Sequence, residues 1–265
     1  MVTGTGNIIE SIDFYNCGFC SNNLSHMFKG AKPQKIDFQA RVLLIKHQIE
    51  GYILVDTGYS TRVYENGWIS KLYTSITPTT VLADQSIIRQ LRADGIEETA
   101  IKTIILSHLH PDHIGGVYDF PSSSIVMSLA SRTLMASAKF KDLVFKNQIS
   151  EKISTQIEGV ELMAETPLDG FKGKDLYGDG SLWLIDLPGH AYGQLGIYLP
   201  EVNLFYVADA VWGREFLDNE MKRLPQKVQY DYSQYKGTIE KIKKVAMTGV
   251  QVISTHGNEA YVYGQ

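Results

Sequence analysis

The sequence predicts a layered α/β fold, and three observations predict it. Short apolar runs of strand length recur along the chain, Gly, Asn, Asp and Pro turn signals separate them, and helical patterns are interleaved among them. Four of the runs end in residues able to hold a metal, and the carboxyl ends of strands are where α/β sheets bind their ligands.

The elements follow in order. Residues 8–15 form the first apolar run. Residues 40–47 and 52–55 flank Gln48-Ile49-Glu50-Gly51 as a hairpin, and Val55 leads into Asp56-Thr57-Gly58. A helix is expected over residues 86–93, because Ile87, Ile88 and Leu91 share a face and Gly95 supplies the stop. Thr103-Ile104-Ile105-Leu106 reads as a buried strand delivering the run Ser107-His108-Leu109-His110-Pro111-Asp112-His113-Ile114-Gly115-Gly116. Three later strands repeat the arrangement: residues 182–187 end in Pro188-Gly189-His190, residues 204–207 in Ala208-Asp209, and residues 250–254 in Thr255-His256-Gly257. The helix expected over residues 233–247 puts Ile239, Ile242 and Ala246 on one face and its charges largely on the other, so it covers a sheet as scaffold. Two segments depart from the sheet pattern. Residues 59–80 carry Tyr59, Tyr64, Trp68 and Tyr73, and residues 128–179 are helical early and loop-like late; either borders a site or covers a core edge or subunit contact.

With 265 residues, 44% of them apolar, the chain is long enough to bury a sizeable core, and one domain over residues 1–265 is expected. A formal charge of -4 supplies no basic field for a nucleic acid or an anionic membrane, which leaves small molecules as the favoured partners. The start, Met1-Val2-Thr3-Gly4-Thr5-Gly6-Asn7, has neither a basic nor a following apolar segment of a leader, and no run is long enough to span a membrane, so a cytoplasmic location is expected. A homodimer is permitted by the aromatic content of residues 59–80. Cys17 and Cys20 have the spacing of half a zinc knuckle or a redox pair, yet too few further ligands remain for a third metal site. Two reduced cysteines near a strand end are expected.

His108 and His110 alternate by two and point to one side of an extended segment, whereas Asp112 and His113 follow in the turn that opens a helix. One metal then takes His108 and His110, completed by His190. A second takes Asp112 and His113, completed by His256, with Asp209 bridging the two. A lone histidine carries no such implication, but five of the seven histidines occupy strand-end turns of one kind. Zinc is the first expectation for two divalent ions on these ligands, and iron or manganese suits the same N/O set.

His108-x-His110-x-Asp112-His113, followed by Gly189-His190, Ala208-Asp209-Ala210 and Thr255-His256-Gly257, resembles the metallo-β-lactamase superfamily over nearly the whole chain. The resemblance implies an αββα sandwich of two facing mixed sheets flanked by helices. It also implies that Asp56, in Leu54-Val55-Asp56-Thr57-Gly58, supports the metal site from behind. His110 in place of a Glu separates the site from the flavodiiron reductases. With nine residues beyond His256, the C-terminal helical domain of glyoxalase II-type thioesterases is not expected, and no basic arm marks a tRNA-processing endonuclease. Length, Ser107-His108-Leu109-His110-x-Asp112-His113-x-Gly115-Gly116 and Pro188-Gly189-His190 resemble the N-acyl homoserine lactonase branch. Those lactonases carry a Tyr three residues after the bridging Asp; here Trp212 stands there, a group that donates a hydrogen bond but cannot accept one.

The reaction so implied is hydrolysis of a carboxylic ester or lactone by a metal-bridging hydroxide, with Asp112 or Asp209 carrying the proton to the leaving alkoxide. No Gly-x-Ser-x-Gly elbow offers a rival nucleophile. Trp212, Tyr192 and Trp68 are the candidate substrate contacts. Phosphodiester or thioester hydrolysis on the same dinuclear site is the alternative, and a non-catalytic metal- or ligand-sensing module ranks below both.

Overall fold

The structure is a computed structural model that describes residues 7–139, 142–149 and 155–262. The leader reading above therefore falls mostly on residues outside that set. Thirteen strands are described: β1 (Ile9–Asn23), β2 (Lys35–His47), β3 (Gly51–Val55), β4 (Thr79–Thr80), β5 (Ile101–Ile105), β6 (Ser124–Ser128), β7 (Ile157–Val160), β8 (Ala164–Glu165), β9 (Lys172–Asp175), β10 (Trp183–Asp186), β11 (Leu195–Leu199), β12 (Leu204–Tyr206) and β13 (Gln251–Ile253).

They form two mixed sheets, β4-β1-β2-β3-β5-β6-β7 and β13-β12-β11-β10-β9-β8. In the first sheet the β1, β2 and β3 pairings are antiparallel, and the chain then turns parallel through β3, β5, β6 and β7. The second is antiparallel except for its β12–β13 edge. Alternation along the strands sends Leu43, Ile45, Ile53, Val55 and Ile105 of one sheet against Leu184, Leu195, Ile197, Leu204 and Tyr206 of the other. Each such buried aliphatic contributes about 1.5–3 kcal/mol. The opposite face of the first sheet packs on Ile87 and Leu91 of the helix Ile87–Ala93. The outer face of the second packs on Ile242 and Val245 of the helix Tyr232–Met247. The expected αββα sandwich is what the chain adopts.

Several segments differ from the sequence reading. β1 runs on to Asn23 because a bulge between Asn16 and Phe19, with Gly18 at φ +85°, interrupts the alternation without ending the pairing. Cys17 and Cys20 thus lie within a long strand, with Cys20 close to its end at Asn23. Residues 128–179 contain β7, β8 and β9 after a helix Leu129–Ser137, and Thr79–Thr80 of the aromatic segment pairs with β1. β7 to β9 were hidden because they are two to four residues long and carry Gly and charges. β6 and β11 also went unread. The expected helices at 86–93 and 233–247 are present with shifts of a single residue at their starts.

Candidate metal centre

β5, β10, β12 and β13 end on the same edge of the sandwich, and the loops that follow them converge there. His108 lies just past β5, and Pro111 then opens the short helix Pro111–Ile114, which carries Asp112 and His113. His190 follows β10, Asp209 follows β12, and His256 follows β13. All seven sequence-predicted ligands are brought together, in two groups: His108, His110 and His190, and Asp112, His113, Asp209 and His256. Within each group the potential ligand atoms lie within 4.8 Å of one another.

The spacing suits cations. Two donors on one tetrahedral zinc, each about 2.0–2.1 Å from it, stand about 3.3 Å apart. In the first group His110 Nδ1 lies 3.0 Å from His108 Nε2 and 3.1 Å from His190 Nε2. In the second, His113 Nε2 is 3.5 Å from Asp112 Oδ2 and 3.3 Å from Asp209 Oδ1, and His256 Nε2 is 3.5 Å from Asp112 Oδ2. Asp209 Oδ2 joins the groups, 2.9 Å from His256 Nε2 and 3.4 Å from His190 Nε2. His113 Nε2 and Asp209 Oδ1 are buried without a hydrogen-bond partner, so the protein leaves open the lone pairs that a metal would take.

The opposite ring nitrogens are held from behind. His113 Nδ1 donates to Asp56 Oδ2 at 2.8 Å, His190 Nδ1 to the Gln229 side-chain oxygen at 2.8 Å, and His256 Nδ1 to the Gln39 carbonyl at 2.7 Å. Donation at Nδ1 leaves the Nε2 lone pair facing the cluster. Asp56 also accepts from the Ser107 backbone N–H and hydroxyl, both at 2.8 Å. These three bonds hold Asp56 at φ +63°, a strained conformation for a residue with a Cβ. Just beyond it, the 57–60 backbone lies so close to the ligand-bearing helix that a Cβ on Gly115 would sit 2.5 Å from Ser60 N and 2.6 Å from Gly58 O.

Charge in this buried cluster is unevenly shared. Burial, reinforced by His113 and His110, lowers the His108 pKa well below its usual value, and burial with His190 beside it pushes His110 down to about 3. His113 goes the other way: burial opposes its charge, but Asp112, Asp209 and Asp56 raise its pKa far above the ordinary value. Burial would raise both aspartates, yet His113 holds Asp112 down and His256 with His113 holds Asp209 well down. The first group is thus a set of neutral imidazoles, and the second pairs two carboxylates with histidines. The neutral imidazoles suit a cation as they stand, whereas His113, which its carboxylate neighbours favour as an imidazolium, would give up its Nε2 proton on binding one.

A cavity of about 410 Å³ opens beside the cluster, with His110, Asp112, His190, Asp209 and His256 on its wall. Apolar side chains including Met27, Phe38, Ile76, Leu143 and Leu224 line the remainder. Trp212 lines it too and is buried. Tyr192 instead borders a separate cavity of about 260 Å³ that shares His110 and His190. Trp68 is 66% exposed on the helix Gly67–Ile76, outside the residues lining either cavity. Cys20, distant from every ligand in sequence, lies on the large cavity's wall beside Tyr59 and Tyr73, and both cysteines are free thiols.

Some supports carried no sequence signal. Gln229 is distant from His190 along the chain, and Arg41 reaches across from β2 to the loop after β13. There its guanidinium donates to the Gly257 carbonyl and, at 3.0 Å, to the Glu259 carbonyl, while its Nη1 stands 3.7 Å from the Glu259 carboxylate. Glu259 in turn accepts from the Ser254 hydroxyl at 3.1 Å, which closes a buried brace around His256. No helix among the described residues is long and apolar enough to cross a membrane.

Comparison with known proteins agrees with this geometry. Residues 36–248 match the model of the metallo-beta-lactamase superfamily. The N-acyl homoserine lactonase AttM of Azorhizobium caulinodans is 23% identical over 254 residues, covering 89% of each chain. The gamma-lactamase FDB1 of Fusarium pseudograminearum is 29% identical over 199 residues, and the match spans 71% of this chain but only 42% of that longer protein. Among solved structures, an N-acyl homoserine lactone hydrolase with N-hexanoyl-L-homoserine bound at its catalytic metal centre superimposes with a TM-score of 0.74 at 18% identity, over 95% of both chains. AidC, a dizinc quorum-quenching lactonase, gives 0.62 at 21% identity, over 96% of this chain and 87% of that one. With its fold, its convergent strand ends and this match along most of its length, the chain belongs to the metallo-beta-lactamase superfamily.

Proposed function

We propose that the chain is a metal-dependent hydrolase of carboxylic esters or lactones, holding one divalent ion on His108, His110 and His190 and a second on Asp112, His113 and His256, with Asp209 shared. The observation that carries this reading is the pair of donor groups joined by Asp209 at the wall of a largely apolar cavity. Two bound cations supply a hydroxide at neutral pH and a Lewis acid for the carbonyl. The chain's own residues do the rest. The apolar wall takes the hydrocarbon arm of the substrate and excludes water, and Asp112 or Asp209 passes the proton from the attacking water to the leaving alkoxide, giving an acid and an alcohol. AttM and the superimposed lactonases, similar over nine-tenths of the chain, support lactones as the first substrates to try.

Metal analysis alongside a panel of lactones, aryl esters, thioesters and bis-aryl phosphates tests the reading. Close to two ions per chain are expected, together with ester or lactone turnover that Asp209→Ala lowers by more than the about 10–100-fold typical of removing an outer partner of a metal ligand. Phosphodiester turnover exceeding ester turnover would reverse the assignment.

A further inference from the structure

The large cavity opens through a rim whose charge runs against that of the chain. Three helices meet there: Leu24–Met27 brings His26 and Met27 to the cavity, Gly67–Ile76 brings Ile76, and Arg223–Val228 brings Leu224 and Val228. Ile76 is 58% exposed and Leu224 69%, so these side chains form a mouth and not a closed wall. The apolar surface continues outward to exposed Leu72, one helical turn from Ile76 and outside the lining of either cavity. Residues 24–34, 67–78 and 221–230, which carry these helices, hold six basic residues and no carboxylate, although the whole chain has 29 acidic residues against 25 basic ones. Lys29 pairs with Glu220. Lys32, Lys71, Lys222, Arg223 and Lys227 are exposed and have no ion pair among the described residues. The formal charge of -4, which supplies no overall basic field, averages over this local one.

Exposed aliphatic side chains set among unpaired cations match an anionic lipid surface: the hydrocarbon groups enter the headgroup region, and the cations meet its negative charge. A second copy of the chain does not fit this rim, since a two-fold contact would set cation against cation with no carboxylate to answer. A nucleic-acid backbone would use the charges but leave Leu72, Ile76 and Leu224 without partners. We infer that the chain docks on an anionic lipid surface through this rim, with the mouth of the large cavity turned to the lipid. Docking goes beyond the hydrolase reading and needs no turnover. Where that reading also holds, a substrate with a hydrocarbon arm passes from the lipid into the apolar cavity without crossing water.

Vesicle co-sedimentation of the full chain, loaded with zinc, tests the inference. Binding is expected to vesicles of equal parts phosphatidylcholine and phosphatidylglycerol but not to phosphatidylcholine alone, and it should weaken as salt is raised. Lys222→Gln combined with Arg223→Gln, which alters neither cavity lining, should lower the partition coefficient about 25-fold, about fivefold for each charge near the surface. Leu72→Ser should lower it several-fold while the preference for anionic vesicles remains. Metal content and melting temperature should stay unchanged in both variants. Equal binding to the two vesicle types, binding to neither, or a double variant that partitions like the native protein overturns the inference. Binding to neither is also the result for a rim that merely draws in dissolved anionic amphiphiles. The composition and salt dependence are read on the native protein and stand even where a variant folds poorly. Docking without ester or lactone turnover would sink the hydrolase reading alone, and turnover without docking would sink this inference alone.

Discussion

Asp56 shows how one residue supports the centre without belonging to either donor group. Its carboxylate is completely buried and takes three hydrogen bonds, from Ser107 twice and from His113 Nδ1. Such partners of metal-binding histidines typically govern metal affinity by 10–100-fold. Asp56→Ala is accordingly expected to weaken zinc binding about 10–100-fold by chelator competition, and Asp56→Asn, which keeps one acceptor oxygen, to recover part of the loss. Equal affinities in all three proteins would reduce Asp56 to a backbone anchor. The residue was legible in the sequence through its Val55-Asp56-Thr57-Gly58 context, as were the seven donors, because ligand chemistry admits few residue types and a strand-end turn is a local pattern. Gln229 and the Gln39 carbonyl were not legible: any residue can offer a carbonyl, and a glutamine thirty-nine positions from His190 bears no mark of its partner.

At the scale of elements, the two scaffold helices were readable from their apolar periodicity, whereas the short strands β7 to β9 were not, since their burial comes from neighbours that only the fold supplies. The helix Tyr232–Met247 begins at Asp231, whose side chain accepts from the backbone N–H groups of Ser233 and Gln234 at 2.8 and 3.0 Å. Its backbone is also tied to the ligand loop, because the Asp231 N–H donates to the Gly189 carbonyl next to His190. The Gln234 and Ser233 bonds lower the Asp231 pKa from the ordinary 3.8. A carboxylate whose pKa falls on folding adds stability that is fully present above that value and is lost as pH drops through the folded one. Asp231→Ala should therefore melt below the native protein at pH 7, and the gap should narrow as the pH is taken below 3.8. A gap independent of pH would place the effect elsewhere than the carboxylate.

For the whole molecule, each donor group draws on both sheets. His108, His110, Asp112 and His113 come from the loop after β5, while His190, Asp209 and His256 follow β10, β12 and β13. Bound cations would couple the two halves of the sandwich. Chelation is therefore expected to lower the melting temperature, and zinc or manganese to restore it. A single ion at 100 times its dissociation constant is worth about 2.7 kcal/mol. Scanning calorimetry with and without chelator checks this; identical transitions would mean that the halves are joined without help from metal.

The placement of His256 has a consequence for how such a protein is made. Its ring is set only when β13 has docked in parallel beside β12 and Arg41 has reached across from β2 to brace the following loop. Neither half of the chain contains a full set of donors for either ion. A complete donor set for either ion therefore exists only where the two sheets have met on their apolar core, so full-affinity metal binding would report that closure.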